Sequence, residues 1–172
     1  LAAFQHEEKT MKLTRRTTMS LLGATAATAL LPAAARANGE VHEVQMLNRH
    51  PDENESMVFY PDIIEAQPGD TIRFVSVDKG HNAVSYDDML PEGAEGFKSR
   101  MNQDVEVVVD AEGAYGYYCQ PHKALGMVGL ILVGDASGNY ESLKEANLRA
   151  PNEKKRWEDI FARADEIVGG TA

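Results

Sequence analysis

Residues 119–127 read Cys-Gln-Pro-His-Lys-Ala-Leu-Gly-Met, a C-x2-H-x4-M spacing that gathers a thiol, an imidazole and a thioether into one short stretch. Cys119 is the chain's single cysteine, so no intramolecular disulfide can occupy it. A lone cysteine is by itself most simply a small buried apolar residue. In this company it is suited to hold a soft metal ion. A second imidazole, His81, stands upstream, directly after the turn signal Asp78-Lys79-Gly80. Two imidazoles and a thiolate in one plane, with a weak, long axial thioether, describe a type 1 (blue) copper site. The sulfur ligands suit Cu(I) and the imidazoles suit both oxidation states. Held rigidly, such a set lets the ion change charge with little rearrangement, as single-electron transfer requires. The residues therefore predict one copper ion on His81, Cys119, His122 and Met127.

Two neighbours can tune such a site. Asn82 follows the first histidine and is placed to hydrogen-bond the Cys119 sulfur or to pin the ligand loops together. Pro121 removes a backbone donor and stiffens the loop beside the thiolate. His42 and His50 lack such partners in sequence and read as surface residues. Met46, Met57, Met89 and Met101 read as core or near-core fillers.

The elements that must position these ligands are short. Apolar runs at Val41–Leu47, Met57–Tyr60, Ile63–Gln67, Thr71–Val77, Ala83–Tyr86, Val105–Val109, Ala114–Cys119 and Val128–Val133 alternate with turn signals such as Pro68-Gly69-Asp70 and Pro91-Glu92-Gly93. Strands of this length and spacing predict an antiparallel β-sandwich or barrel over residues 38–138. The Cys119–Met127 loop then lies between two strands at one end, and His81 opens another strand that reaches the same end. Residues 139–172 change period. A short helix including Leu143, Ala146 and Asn147 ends before Pro151. Beyond it Trp157, Ile160, Phe161, Ala164 and Ile167 form the apolar face of a second helix, stopped by Gly169-Gly170. The fold expected is mainly β, with two C-terminal helices packed on the same domain.

Composition narrows the function classes. Of 172 residues, 17 are basic and 27 acidic, a net charge of −10, which argues against nucleic acid as partner. A hydrophobic fraction of 43% suits a folded domain and not a disordered one. Residues 11–37 have the layout of a secretory signal peptide. Lys12, Arg15 and Arg16 make a basic start, Leu21 to Leu31 is apolar, and Ala35-Arg36-Ala37 offers a cleavage site. The apolar run is too short and interrupted for a stable membrane span. Arg15-Arg16 leaves both the general and the twin-arginine export routes open. Residues 1–10 precede Met11 and read as an upstream, non-native segment. The expected mature chain starts at Asn38 and has lost more basic than acidic charge, so it is more acidic still.

The stretches Met46-Leu47-Asn48, Pro68-Gly69-Asp70-Thr71, Val77 to Asn82, Pro91 to Glu95, Gly113-Ala114-Tyr115, Cys119 to Met127 and Leu130 to Asp135 resemble the pseudoazurins, a bacterial branch of the cupredoxins. The two C-terminal helices are similar to that family's as well. The resemblance implies an eight-stranded Greek-key sandwich, the ligand set His81, Cys119, His122 and Met127, and a monomeric periplasmic electron shuttle. It also implies delivery of electrons to copper nitrite reductase, with a cytochrome as donor. Docking in that family uses lysines around the copper end, and Lys79, Lys98 and Lys123 are the candidates for such a patch here, with Arg100 nearby in sequence. Asp87, Asp88, Glu92 and Glu95 stand close to them in sequence and depart from that pattern.

Two other classes remain to be weighed. A multicopper enzyme needs further histidines to wire its type 1 site to a catalytic centre, and the chain has five in all, His6 outside the expected mature protein. A Cys–His hydrolase needs a third, orienting group. A copper-delivery module would share the export signal and soft ligands, but it favours open sites that exchange metal, whereas two histidines, a cysteine and a methionine form a retentive set.

Overall fold

The computed structural model describes residues 39–170. The expected signal peptide, residues 11–37, and the 1–10 segment lie outside the described residues. Eight strands form two four-stranded sheets: β1 (Val41–Arg49), β2 (Ser56–Tyr60), β3 (Ile63–Ala66), β4 (Asp70–Val75), β5 (Val84–Ser85), β6 (Val105–Val109), β7 (Gly113–Tyr118) and β8 (Val128–Val133). One sheet runs β2-β1-β4-β6 and the other β3-β8-β7-β5. The chain crosses repeatedly from one sheet to the other, as a Greek-key sandwich requires.

The sheets are not purely antiparallel. β1 pairs β4 in parallel, Val41 facing Thr71, and β3 pairs β8 in parallel, Ile63 facing Leu130. Parallel neighbours need a long crossover between them. Residues 50–69, carrying β2 and β3, supply it for the first pair.

Alternation along the strands builds the core between the sheets. Val44 and Met46 of β1, Ile72 and Phe74 of β4, Tyr115 and Tyr117 of β7, and Ile131 and Val133 of β8 point into one apolar cluster that also contains Cys119 and Met127. Phe59, Phe74 and Tyr117 meet edge to face, with ring centroids 4.8–6.1 Å apart. Every residue of β8 is buried. Its other face, with Val128, Leu130 and Leu132, is covered by helices α1 (Ser137–Lys144) and α2 (Pro151–Gly170) through Tyr140, Leu143, Trp157, Ile160 and Ala164. The helices thus serve the sheet that carries the Cys119–Met127 loop at its end.

Several element limits differ from expectation. α1 ends at Lys144, leaving Ala146 and Asn147 in the connection to Pro151. α2 continues through Gly169 and Gly170. Neither glycine takes the left-handed φ that would end a helix there. β5 keeps only Val84–Ser85 of the expected run. Met101 is 42% exposed and is no core filler, whereas Met46 and Met89 are fully buried. His42 and His50 are half-buried and engaged, not simple surface residues. His42 Nε2 lies 2.9 Å from Asp70 Oδ2, and His50 Nδ1 accepts the backbone N–H groups of Asp52 and Glu53. Among the described residues no helix is long and apolar enough to cross a membrane.

Candidate metal centre

Three potential ligand atoms converge at one end of the sandwich. His81 Nδ1 and His122 Nδ1 are 3.1 Å apart, and Cys119 Sγ lies 3.7 Å from the first and 3.5 Å from the second. A point equidistant from all three is about 2 Å from each, the length of an imidazole–metal bond for a first-row ion. His81 and Cys119 are fully buried and His122 is half-exposed.

Each candidate ligand residue is held by backbone geometry. Gly80 (φ 96°) turns the chain so that His81 enters the end of the sandwich, a conformation glycine adopts without strain. Asn102 secures this turn: its N–H donates to His81 O at 2.9 Å and its Oδ1 accepts the Gly80 N–H. β7 ends at Tyr118, so Cys119 is the first residue past the strand. Its N–H donates to Met127 O at 2.9 Å. Between them a single 3-10 turn, Lys123–Leu125, closes on Gly126 (φ 90°). His122 O accepts the N–H groups of Leu125 and Met127 at 2.9 and 3.2 Å, which fixes the spacing of the two ligand candidates.

The surroundings prepare the atoms for a metal. His81 Nε2 lies 3.0 Å from Asn48 Oδ1. An amide oxygen there requires the ring proton on Nε2 and leaves the Nδ1 lone pair facing Cys119. Burial, and then the neighbouring His122, hold His81 below the ordinary imidazole range, which favours the neutral ring that a metal needs. Burial pushes the Cys119 thiol up, while hydrogen bonds from the backbone N–H groups of Asn82 and His122 pull it back. A cation is what would tip this thiol to thiolate, releasing a proton as it binds. The donor set of two imidazole nitrogens and a sulfur in a small triangle fits a type 1 copper site.

A profile described as copper binding proteins, plastocyanin/azurin family, matches residues 44–134. A pseudoazurin of Paracoccus pantotrophus is 46% identical over 125 residues, 73% of this chain and 85% of that protein. The chain belongs to the pseudoazurins. A second relative, from Methylorubrum extorquens, is 41% identical over 133 residues, 77% of this chain and 85% of its own length. The solved structure of a Sinorhizobium pseudoazurin superposes with a TM-score of 0.70 at 40% identity, covering 73% of this chain and 97% of that one. A pseudoazurin from Hyphomicrobium denitrificans gives a TM-score of 0.67 at 36% identity, covering 72% and 97%. The cofactor of this pseudoazurin is therefore copper, and the protein is a copper electron carrier.

The remaining expected residues divide. Met127 is fully buried in the apolar cluster of Cys119. Asn82, 2% exposed, accepts the Gln120 N–H at 2.9 Å through its side chain. It thereby ties the first ligand segment to the second, while its backbone and not its amide faces the sulfur. Pro121 is exposed on the loop, beside exposed Ala124 and Leu125. Lys79, Lys98 and Arg100 are exposed, as are Asp87, Asp88, Glu92 and Glu95. Lys123 is different. Its ammonium sits over the rings of Tyr86 and Tyr118, 4.1 and 4.4 Å from their centroids, and 3.6 Å from Glu153 Oε1. It is turned toward the protein and only partly available to a partner.

Sequence reading assigned no role to Asn48, Asn102 or Glu153. Asn48 lay within a matching stretch, but nothing local to it signals a contact with His81. Glu153 carried a weak signal, an acidic residue in the first turn of a helix behind a proline.

Proposed function

We propose that this pseudoazurin is a periplasmic one-electron carrier whose single type 1 copper ion is held by His81, Cys119, His122 and Met127. The carrying observation is the triangle of His81 Nδ1, His122 Nδ1 and Cys119 Sγ, with sides of 3.1, 3.5 and 3.7 Å. Copper held there would supply a one-electron Cu(II)/Cu(I) couple, reduced by the donor and reoxidised by the acceptor. The protein supplies the rest: Asn48 sets the His81 tautomer, Asn82 ties the ligand segments, and the 3-10 turn holds His122 against Met127. Such a constrained shell keeps the ligands in place in both oxidation states.

His122 is the electron port in this reading. It is the half-exposed member of the three, and Pro121, Ala124 and Leu125 give it an apolar rim. A small, desolvating contact of this kind suits a partner that must leave after each delivery. The partners proposed are copper nitrite reductase as acceptor and a cytochrome as donor, the protein acting as a monomer and not as an enzyme. The signal-peptide pattern of residues 11–37 supports the periplasmic location. Burial of His81 and Cys119 favours retention of copper over its delivery to another protein.

The test is to express the chain from Asn38, add Cu(II) and record visible absorption and paramagnetic resonance. An intense thiolate-to-copper band, lost reversibly on reduction, is expected. A colourless protein or weak ordinary copper bands would overturn the reading. Slow copper loss to a chelator, with reversible reduction, separates a carrier from a delivery module.

A further inference from the structure

The ligand loop rests on the first turns of α2, and one buried acid organises the contact. Glu153 is 2% exposed. A carboxylate in such a place needs partners for its charge and its lone pairs. Tyr86 donates its hydroxyl to Oε1 at 2.8 Å, and Lys123 Nζ lies 3.6 Å from the same oxygen. Oε2 accepts the backbone N–H groups of Ala150 and Arg149 at 3.3 and 3.4 Å, capping the helix start. Trp157, one turn on, donates its Nε1–H to the Tyr86 oxygen at 3.3 Å. Burial holds the Tyr86 phenol far above its ordinary range, so it remains a donor.

This network meets the loop on both sides of the metal position. Lys123 follows His122 directly. Its ammonium also lies against Tyr118, which directly precedes Cys119. Three residues on, Gly126 packs so closely on α2 that a Cβ there would stand 2.9 Å from Asn152 O. The loop is therefore seated on the helix at Lys123 and at Gly126, between the His122 and Met127 positions.

We propose that Glu153 is a positioning residue of the copper site: through Tyr86 and Lys123 its carboxylate clamps the 122–127 loop onto α2 and balances the Lys123 charge beside the ligands. This rests on the ligand assignment above. Neither side chain touches a ligand atom, so both act through the loop and through the field at the site. The two charges have opposite consequences. Without the carboxylate, the uncompensated Lys123 cation disfavours the more positive Cu(II) and raises the reduction potential. Without the ammonium, the Glu153 anion favours Cu(II) and lowers it. Removing both returns the potential close to its starting value.

The experiment compares the copper-loaded protein with Glu153→Gln, Lys123→Met and the double variant by voltammetry and visible absorption. It adds amide hydrogen exchange on the metal-free forms. A several-fold change in the Cu(II)/Cu(I) equilibrium is expected in each single variant, where tenfold corresponds to about 59 mV for one electron. The shifts should be opposite in sign and should cancel in the double variant. Faster exchange of the Leu125, Gly126 and Met127 amides is expected in Glu153→Gln without metal. Unchanged potentials, shifts of the same sign, or unaltered exchange would overturn the proposal. If Glu153→Gln does not fold, Lys123→Met decides alone: a lowered potential supports the proposal and an unchanged or raised one sinks it. A parent protein without the intense band would instead show that the ligand assignment has failed.

Discussion

Asn48 Oδ1 lies 3.0 Å from Nε2 of His81, across a separation of 33 residues. Asn48 is near the end of β1, and its own N–H donates to Asp78 Oδ2 at 2.7 Å in the turn that leads to His81. The strand thus holds the imidazole from behind while the turn delivers it. Asn48→Ala should leave the fold intact and lower copper affinity by roughly 10–100-fold, the usual effect of losing a partner behind a metal-bound histidine. Competition with a chelator of known strength measures it. An unaltered affinity would mean that packing alone orients the ring.

Met127 allows a test of the axial position. Leucine matches its volume, so Met127→Leu should cost less than about 1.5 kcal/mol of stability. It removes the fourth donor and leaves a three-coordinate site, a geometry that Cu(I) accepts more readily than Cu(II), so the reduction potential should rise while the charge-transfer band persists. Voltammetry on the purified variant reads this directly. A potential equal to that of the parent would remove Met127 from the coordination shell.

Asp70 controls acid stability at the far end of β1. Its carboxylate accepts the Gln67 and Glu40 N–H groups at 2.7 and 2.8 Å and meets His42 Nε2 at 2.9 Å. The Gln67 hydrogen bond first, then His42, hold it below the ordinary value of 3.8. The unfolded chain therefore takes up this proton before the folded one does. Its contribution is fully present above about pH 4 and declines as pH falls through the lowered folded value. Denaturant unfolding of the metal-free protein from pH 6 down to pH 2.5 or so should show a steeper decline than in Asp70→Asn. Parallel curves would contradict the assignment.

Gly129 of β8 lies directly opposite Tyr117 of β7 in the same sheet, and the tyrosine ring leaves no room there. A Cβ at this position would stand 2.3 Å from Tyr117 Cζ, and Tyr117 is fully buried among Phe59, Phe74 and Phe97. Gly129→Ala should destabilise by about 1–3 kcal/mol or more, the cost of overpacking a filled core. A thermal melt of the metal-free variant checks it, and an unchanged midpoint would show that the Tyr117 ring can move aside.

Much of this was legible in the residues themselves. Strand and helix existence followed from short-period runs and from the Trp157–Ile167 stripe, because burial of one face is written directly in the order of apolar residues. The candidate ligands were legible because Cys119, His122 and Met127 are close in the chain, and their donor atoms have few other uses together. The parallel pairing of β1 with β4 was not legible, since register between distant strands depends on the whole sandwich. Nor was the full extent of α2 through Gly169-Gly170, where local stop signals yield to the continuing helix.

The sequence by itself determined the chemistry: a soft, redox-suited donor set on one loop and one turn, in a chain of alternating strands. Tertiary structure alone decided how those donors are controlled. Asn48 behind His81, Asn82 across to Gln120, and Glu153 beneath Lys123 are contacts between residues far apart in the chain. Donor type is a property of a side chain, whereas the direction of a lone pair and the balance of a buried charge are set by whatever the fold brings within a few ångströms.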